Sequence, residues 1–424
     1  MSLEKSDQPC RIAIIGTGAA GLTAAYLLAK RHEVTLFERD GRAGGHVHTV
    51  VIDSGPDAGT PVDTGFIVMN HRTYPVLTRL FAQLGVALRD SDMSFGYHDE
   101  RTDLQYCGTS LNTLFAQRRN LFRPAFHGMI RDILRFNRQA PLDLKAGILT
   151  DLSLGEYLAR GAYGPAFIDD YILPMGAAIW STPRRKMLEF PAGNFIGFFS
   201  NHGLLSVSDR PQWRTVAGGS HTYVKRILET LPKPVRLGTP VTGIRRTGQQ
   251  VLVRHESGQE PFDRVVVATH ADEALRLLED PGEDERRWLG PWQYEPNRTV
   301  LHTDASVLPP LRRARASWNA AREVATDAAM SLTYDMNRLQ GLATERPYLV
   351  SLNRTRGIRS GQVIREMVYT HPTYTPESSA TQPHLPSLNG VRGTYFCGSY
   401  FGHGFHEDAV RSGLEVARCF GLEL

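Results

Sequence analysis

Residues 11–31, RIAIIGTGAAGLTAAYLLAKR, decide how the rest of the chain is read. RIAIIG is β-branched and apolar at consecutive positions, the pattern of a strand buried on both faces of a parallel sheet. AGLTAAYLLAKR carries apolar residues at helical spacing and ends on a basic pair, which suits the negative end of a helix. HEVTLFER, residues 32–39, reads as a second strand ending at Glu38. Between the first strand and the helix lies GTGAAG, Gly16 to Gly21, a G-x-G-x-x-G turn. In this strand–turn–helix–strand setting Gly16 permits the tight turn. Gly18 lets a pyrophosphate approach the backbone, and Gly21 lets helix and strand pack closely. Ala19 and Ala20 open the helix, where free N–H groups and the positive helix end receive phosphate. Glu38 stands downstream of Gly21 close to the spacing expected of an acid that binds ribose hydroxyls. The unit predicts a bound dinucleotide, and the pattern alone does not separate NAD from FAD.

The 424-residue length points to two intertwined domains. Hydrophobic content of 41% and charged content of 22% are ordinary for a globular protein. No run approaches the roughly 20 apolar residues of a membrane-crossing helix. The first ten residues, MSLEKSDQPC, lack the basic-then-apolar layout of a secretion signal. Cys10, Cys107, Cys397 and Cys419 are scattered without a C-x-x-C, so neither a metal site nor a disulfide framework is expected, which suits a reducing cytosol. The net charge of +4 rests on 42 arginines and only six lysines, and no lysine follows Lys233. Codon bias of a GC-rich genome accounts for that split. No RNA-binding signature or aromatic–basic platform is present, so nucleic acid does not explain the charge.

Further segments resemble the flavin-containing amine oxidase superfamily. RDGRAGGHVHT places Arg42, Gly44, Gly45 and His46 just past the second strand, like that superfamily's R-x-G-G extension. VDTGFIVMN, with Thr64, Gly65 and Phe66, resembles its segment under the flavin. VAGGSHTYVKRILETL resembles the glycine turn and helix before the returning lobe. PVRLGTPVTGIRR and VLVRHESGQEPFDRVVVATHADEALRLL resemble that lobe. RGTYFCGSYFGHGFHEDAVRSGLEVARCF resembles the closing motif. Segments such as YILPMGAAIWST, FFSNHGLL and PQWRTVAGGS are similar to a bacterial group of the superfamily associated with lipid metabolism. The resemblance implies an α/β fold: a Rossmann-like FAD-binding domain of the two-domain amine-oxidase/PHBH-like kind, with an interleaved α+β substrate domain. The FAD-binding part would comprise residues 1–70, 216–284 and 386–424, and the substrate part residues 71–215 and 285–385. It implies FAD contacts from Gly16, Gly18, Ala19, Ala20, Gly21, Glu38, Arg39, Arg42, Gly44, Gly45, His46, Thr64, Gly65 and Phe66. Val241 at the adenine, Ala268, Thr269, Gly398, Ser399, Phe405, Glu407, Asp408 and Ala409 complete that set.

Two departures set the chain apart from amine oxidases of that superfamily. They place a lysine beside flavin N5, downstream of the segment matching VVVATH. Here the corresponding stretch, NRTVLHTDASVLPP, has none, and His302 lies near the expected place. They also cage the amine between aromatic residues, whereas the closing motif offers Phe405, without a phenol. YTHPTYTPESSA holds no cysteine where some relatives attach flavin, so noncovalent FAD is expected.

In the substrate region, YILPMGAAIWST reads as a pocket wall or as plain core, with Trp180 and Phe405 the preferred apolar wall. His202, His302, His371, His403 and His406 stand in motif-like segments. A histidine moves protons near neutral pH, or it simply bonds the backbone. Among them His302, His403 and His406 join Phe405 and Trp180 as candidate catalytic residues. The main expectation is hydride transfer from an apolar acyl or lipid substrate to flavin N5. An amine or amino-acid oxidase and a non-catalytic flavin-binding protein are the rivals. Residues 117–139 hold six arginines and one acid, Asp132. There Phe122, Phe126, Met129, Ile133 and Phe136 fall on one helical stripe and Arg131, Arg135 and Arg138 on another. Such a helix either rests on an anionic membrane surface or packs its stripe inward. The chain is thus expected to be cytoplasmic, with peripheral contact at the inner membrane face through 117–139. Oligomeric state and electron acceptor are not readable from the sequence.

Overall fold

The computed structural model describes residues 8–180, 182–206, 210–324, 330–355 and 357–424. Residues 1–7, which include most of the N-terminal MSLEKSDQPC segment, and Ser181 of YILPMGAAIWST lie outside the described residues. Four parallel strands form one sheet in the order Thr394–Phe396, Arg264–Val267, Arg11–Ile15, Glu33–Phe37. Three stretches far apart in sequence thus build a single Rossmann-type sheet. Arg11–Ile15 is continuously apolar after its first residue because both its faces are covered. Ile12 and Ile14 pack with the helices Ala19–Leu28 and His406–Cys419. Ala13 and Ile15 face the other way, into a core shared with the antiparallel meander Val241–Arg246, Val251–His255 and Gly258–Phe262.

The glycine turn has no room for side chains. Gly16 has φ +97°, and a Cβ there would sit 2.7 Å from Ala268 O. A Cβ on Gly21 would sit 2.1 Å from Gly16 O. Where the first and last helices cross, a Cβ on Gly413 would sit 2.4 Å from Ala20 O.

A second sheet of seven strands runs Val363–Thr373, Gln293–His302, Leu349–Leu352, Met330–Asp335, Trp318–Arg322, Phe95–Asp99, Leu104–Cys107. Its pairs are antiparallel except Trp318–Arg322 with Phe95–Asp99. A helical layer covers it. Leu173–Trp180 packs on Trp318–Arg322 and Met330–Asp335, and Phe126, Met129 and Ala178 share a core with Tyr97, Leu332 and Val350.

The basic segment departs from its sequence reading in two ways. Its helix is Pro124–Lys145, 22 residues, and Arg118–Phe122 is a separate 3₁₀ turn. Proline holds the preceding residue, Arg123, in extended backbone (φ −101°, ψ 109°), so the two pieces are not one helix. Phe126, Met129 and Phe136 point inward, but Phe122 leaves the stripe and is 87% exposed.

Two glycines of the turn separate packing from ligand approach. Gly21→Ala forces a Cβ against backbone and is expected to lower apo-protein stability by about 1–3 kcal/mol. Gly18→Ala meets nothing within 4 Å and should leave apo stability near wild type while weakening FAD binding. Thermal denaturation of both apo variants, with FAD titration, checks this.

Candidate active site

The nucleotide cradle forms where the first two strands end. Around Gly18 the space is open, as a phosphate approaching the backbone requires. Glu38 is buried, and its carboxylate accepts from Thr17 N (3.0 Å), Thr17 Oγ1 (2.5 Å) and Asp40 N (3.0 Å). Thr239 N donates to Glu38 O at 2.8 Å, which draws the segment leading to Val241 along this edge. Arg39 is 62% exposed and pairs with Glu273 at 2.6 Å. Arg42 donates to Gly45 O (2.7 Å) and Val47 O (3.3 Å), so it shapes the Gly44–Gly45 loop from within. Ala268 N donates to Ile15 O at 2.8 Å, which closes the turn, while Thr269 Oγ1 donates to the next carbonyl, His270 O, at 3.1 Å.

Where this loop meets the second sheet, a histidine cluster appears. The His46 ring stacks on His371 at 5.4 Å and lies 5.2 Å from Tyr369 and 6.4 Å from His270. His46 Nε2 is buried without a partner. Thr64 Oγ1 and His48 Nδ1 lie 2.7 and 2.8 Å from Tyr369 Oη. Gly65 backs onto this loop, for a Cβ there would sit 2.0 Å from His46 O. Asn297 is buried, and its Nδ2 reaches His371 Nδ1 at 3.2 Å. Asp63 ties the VDTGF and VAGGS segments together by accepting from Ser220 N (2.9 Å) and Ser220 Oγ (2.8 Å).

The closing motif supplies the third wall. Gly398 N donates to Ser412 Oγ at 2.9 Å, and Ser399 begins a tight turn ending at Phe401. Phe405 caps the helix His406–Cys419. Its two leading acids are committed to backbone amides. Glu407 accepts from Val76 N and Leu77 N, both at 2.9 Å, capping the helix Pro75–Gln83. Asp408 accepts from His403 N (2.9 Å) and Phe405 N (3.0 Å) and bonds Arg411, so it braces the loop. Ala409 is buried behind them. His406 lies flat on Phe66 at 3.8 Å and bonds Tyr223 Oη at 2.6 Å.

Trp180 and Phe405 meet in a packed aromatic cluster, ring centroids 6.4 Å apart and inclined at 69°. Phe198 covers the face of Phe405 at 4.5 Å. His202 stacks on Phe198 at 3.8 Å and sits 6.2 Å from Trp213. His403 stands 6.1 Å from Phe198. His202 Nδ1 bonds Phe198 O at 3.0 Å. A carbonyl only accepts, so Nδ1 carries the proton and Nε2 keeps its lone pair. Burial lowers the pKa of these rings, to about 4 at His202 and His371 and about 3 at His406. His46, His270 and His403 are lowered for the same first reason. Burial thus favours the neutral form of each imidazole in the cluster.

His302 is not brought to this site. It ends the Gln293–His302 strand, roughly 17 Å from Asn297 at the rise of a β-strand. There its Nε2 bonds Ser351 Oγ (2.9 Å) and its Nδ1 accepts from Asp304 N (3.1 Å), both within the sheet region. Asn297 heads NRTVLHTDASVLPP, the stretch that carries no lysine. Sequence reasoning passed over Asn297, Tyr369, Phe198 and Asp63. Strand alternation marks Asn297 and Thr299 as inward-facing, but only pairing with Val363–Thr373 shows what they meet.

The family of flavin containing amine oxidoreductases matches residues 19–303 and 359–420. The chain belongs to this family. This flavin-containing oxidoreductase is an enzyme, and FAD is its cofactor. The cradle suits that group: open space at Gly18, a buried acid at the second strand end, and the unpartnered Nε2 of His46 beside the glycine loop. The enzyme is 23% identical over 330 residues to an L-amino-acid oxidase of Siganus canaliculatus, covering 70% of this chain and 57% of that one. It is 37% identical over 81 residues to a hydroxyneurosporene desaturase of Rubrivivax gelatinosus, 19% of this chain and 14% of that one. The chain spans less than two thirds of these curated relatives' lengths. Among solved structures, it matches a fatty acid isomerase of P. acnes with TM-score 0.69 at 15% identity, covering 99% of both chains. Cyclohexylamine oxidase of Brevibacterium oxydans IH-35A gives TM-score 0.70 at 15% identity, with 97% of this chain and 98% of that one covered. At such identity these likenesses speak for the fold.

Two expectations follow. The denatured holoenzyme should show the unmodified chain mass with free FAD in the supernatant; a flavin adduct on any peptide overturns this. The lowered imidazoles also set a pH dependence. The unfolded chain takes up protons near pH 6.5 and the folded one only near 4 at His371. Their stabilising contribution is therefore complete above pH 6.5 and is lost as pH falls toward 4. Asp63, raised to about 6 chiefly by burial, acts in the opposite sense as pH rises through that value. His371→Gln should therefore flatten the fall in Tm between pH 7 and 5, as read by thermal scans.

Proposed function

We propose that this enzyme oxidises an apolar substrate of the fatty-acyl or lipid class, in the manner of a desaturase or oxidase. The aromatic cluster of Trp180, Phe198 and Phe405 carries this reading. Its Phe405 face is covered by Phe198, so the ring is not one wall of an open amine cage. The nearby carboxylates of Glu407 and Asp408 are committed to backbone amides. The site is walled by aromatic carbon, with Trp180 and Phe198 buried and Phe405 half-buried, and an apolar chain entering it would lose no hydrogen bonds to water. An ammonium group would lose its hydration there without a carboxylate free to pair with it.

The bound flavin supplies the acceptor for a hydride leaving a substrate carbon. The chain supplies position and a proton site. Trp180 and Phe405 orient the acyl chain, and the aromatic packing excludes water. His202, held by Phe198 O in the tautomer with a free Nε2 lone pair, takes the proton released from the neighbouring carbon. The fatty acid isomerase and the hydroxyneurosporene desaturase support the reading as relatives in fold and in part of the sequence that are named for apolar substrates.

Anaerobic titration of the yellow holoenzyme tests it. Unsaturated or methyl-branched acyl chains should bleach the flavin absorbance, and a mixture of amines and amino acids should not. Bleaching by amines alone overturns the proposal in favour of an amine or amino-acid oxidase. Trp180→Ala should raise KM for the acyl substrate roughly 10-fold or more, from about 1.5–3 kcal/mol of lost burial.

A further inference from the structure

The helix Pro124–Lys145 has two faces. Phe126, Met129, Asp132, Phe136 and Ala140 are buried on one. On the other, Arg131, Leu134, Arg138, Leu142 and Lys145 recur at intervals of three and four residues, all exposed. Leu134 is 56% and Leu142 55% exposed, and Phe122 and Leu121 at the helix start extend the apolar surface. Of the thirteen exposed large hydrophobic residues among those described, six lie between residues 111 and 148 and the others are scattered. The apolar surface is thus concentrated on this helical layer.

The charge on the same face is of one sign. Residues 118–145 hold seven basic residues and two acids. Both acids are occupied: Asp132 is buried and accepts from Gly164 N and Arg135, while Asp143 accepts from Tyr157 Oη and Gln139. Arg135 is spent internally, on Gly161 O, Ala162 O and the ring of Tyr163. Arg131 and Arg138 have no ion pair among the described residues and stand with Leu134 and Leu142. Beside them opens a cleft of 380 Å³, lined by the three guanidinium groups of Arg135, Arg138 and Arg160 and by one carboxylate, Asp143, which is held by Tyr157 and Gln139.

Apolar side chains interspersed with unpaired arginines match the chemistry of an anionic bilayer surface: the chains enter the headgroup boundary and the guanidinium groups meet phosphate. A soluble protein partner would not need that mixture along a whole helix face. The position is functional too. This helix packs on Ala192–Asn201, where a Cβ on Gly197 would lie 4.0 Å from Leu144. Phe198 and Phe199 of that second helix belong to the aromatic cluster with Trp180. One helix diameter, about 10 Å, separates the outer face from that cluster.

We propose that the face formed by Phe122, Arg131, Leu134, Arg138 and Leu142 docks this enzyme on an anionic phospholipid bilayer. The proposal rests on the acyl-substrate reading only for its purpose; the surface stands on its own residues.

Cosedimentation of the FAD-loaded enzyme with vesicles tests it. Vesicles of equimolar phosphatidylcholine and phosphatidylglycerol should bind the enzyme, and pure phosphatidylcholine vesicles should bind it far less. High salt should release it. R131Q/R138Q should weaken the partition coefficient roughly 30-fold, and F122S/L134S should weaken it comparably. Both variants lie outside the flavin cradle and should keep wild-type flavin absorbance and circular dichroism. I364S/V368S, on exposed residues of the distant edge strand, should bind as wild type. Failure of the wild type to bind anionic vesicles overturns the proposal, as does wild-type binding by R131Q/R138Q and F122S/L134S. So does a wild-type dimer in solution that F122S converts to monomer. Vesicle binding without bleaching by detergent-dispersed acyl chains would sink the substrate reading alone. Bleaching without vesicle binding would sink the docking surface alone.

Discussion

The structure depends on one close approach, that of the Gly16–Gly21 turn to the strand end at Ala268. No side chain fits between them, since a Cβ on either glycine would fall within 2.7 Å of a backbone oxygen. That contact lets the first strand pair with Arg264–Val267 while the first helix still lies close on the sheet. Strand Thr394–Phe396 then joins the same sheet and delivers the closing loop and helix to the mouth of the turn. Gly413 against Ala20 O holds that helix in place. The cradle and the aromatic cluster are both positioned by this backbone packing.

Electrostatics in the site follow from burial. Enclosing the imidazoles between loops and sheet favours their neutral forms. The acids at the start of the closing helix would be costly if left bare in such surroundings. They are instead satisfied by backbone amides: Glu407 at the start of a neighbouring helix, Asp408 in its own loop. The charge therefore braces the walls, and the interior is left to aromatic rings and neutral nitrogens. His202 illustrates the division of labour, with one nitrogen bonded to Phe198 O and the other open.

The helical layer over the second sheet works by contrast of faces. Its inner face joins two hydrophobic cores, and its outer face carries exposed leucines and arginines without an ion pair among the described residues. Arg135 shows why counting arginines along the sequence overstates such a surface. Its guanidinium lies 4.0 Å from the Tyr163 ring and bonds two carbonyls, so it belongs to the fold.

Local chemistry in the sequence determined the dinucleotide turn, the second strand and its acid, and the closing motif, because each is specified by residues within a few positions of one another. Trp180 and Phe405, singled out in two separate motifs, lie 6.4 Å apart in one packed aromatic cluster. Tertiary structure alone decided which histidines meet. His46 and His371 come from opposite ends of the chain and are joined only by sheet register and loop packing. The same register carries His302 away from the site to Ser351 and puts Asn297 beside His371. Pro124 turned Phe122 outward by ending one helical piece and starting another. Spacing along a chain records which face of an element a residue occupies; what lies opposite that face is set by segments remote in the sequence.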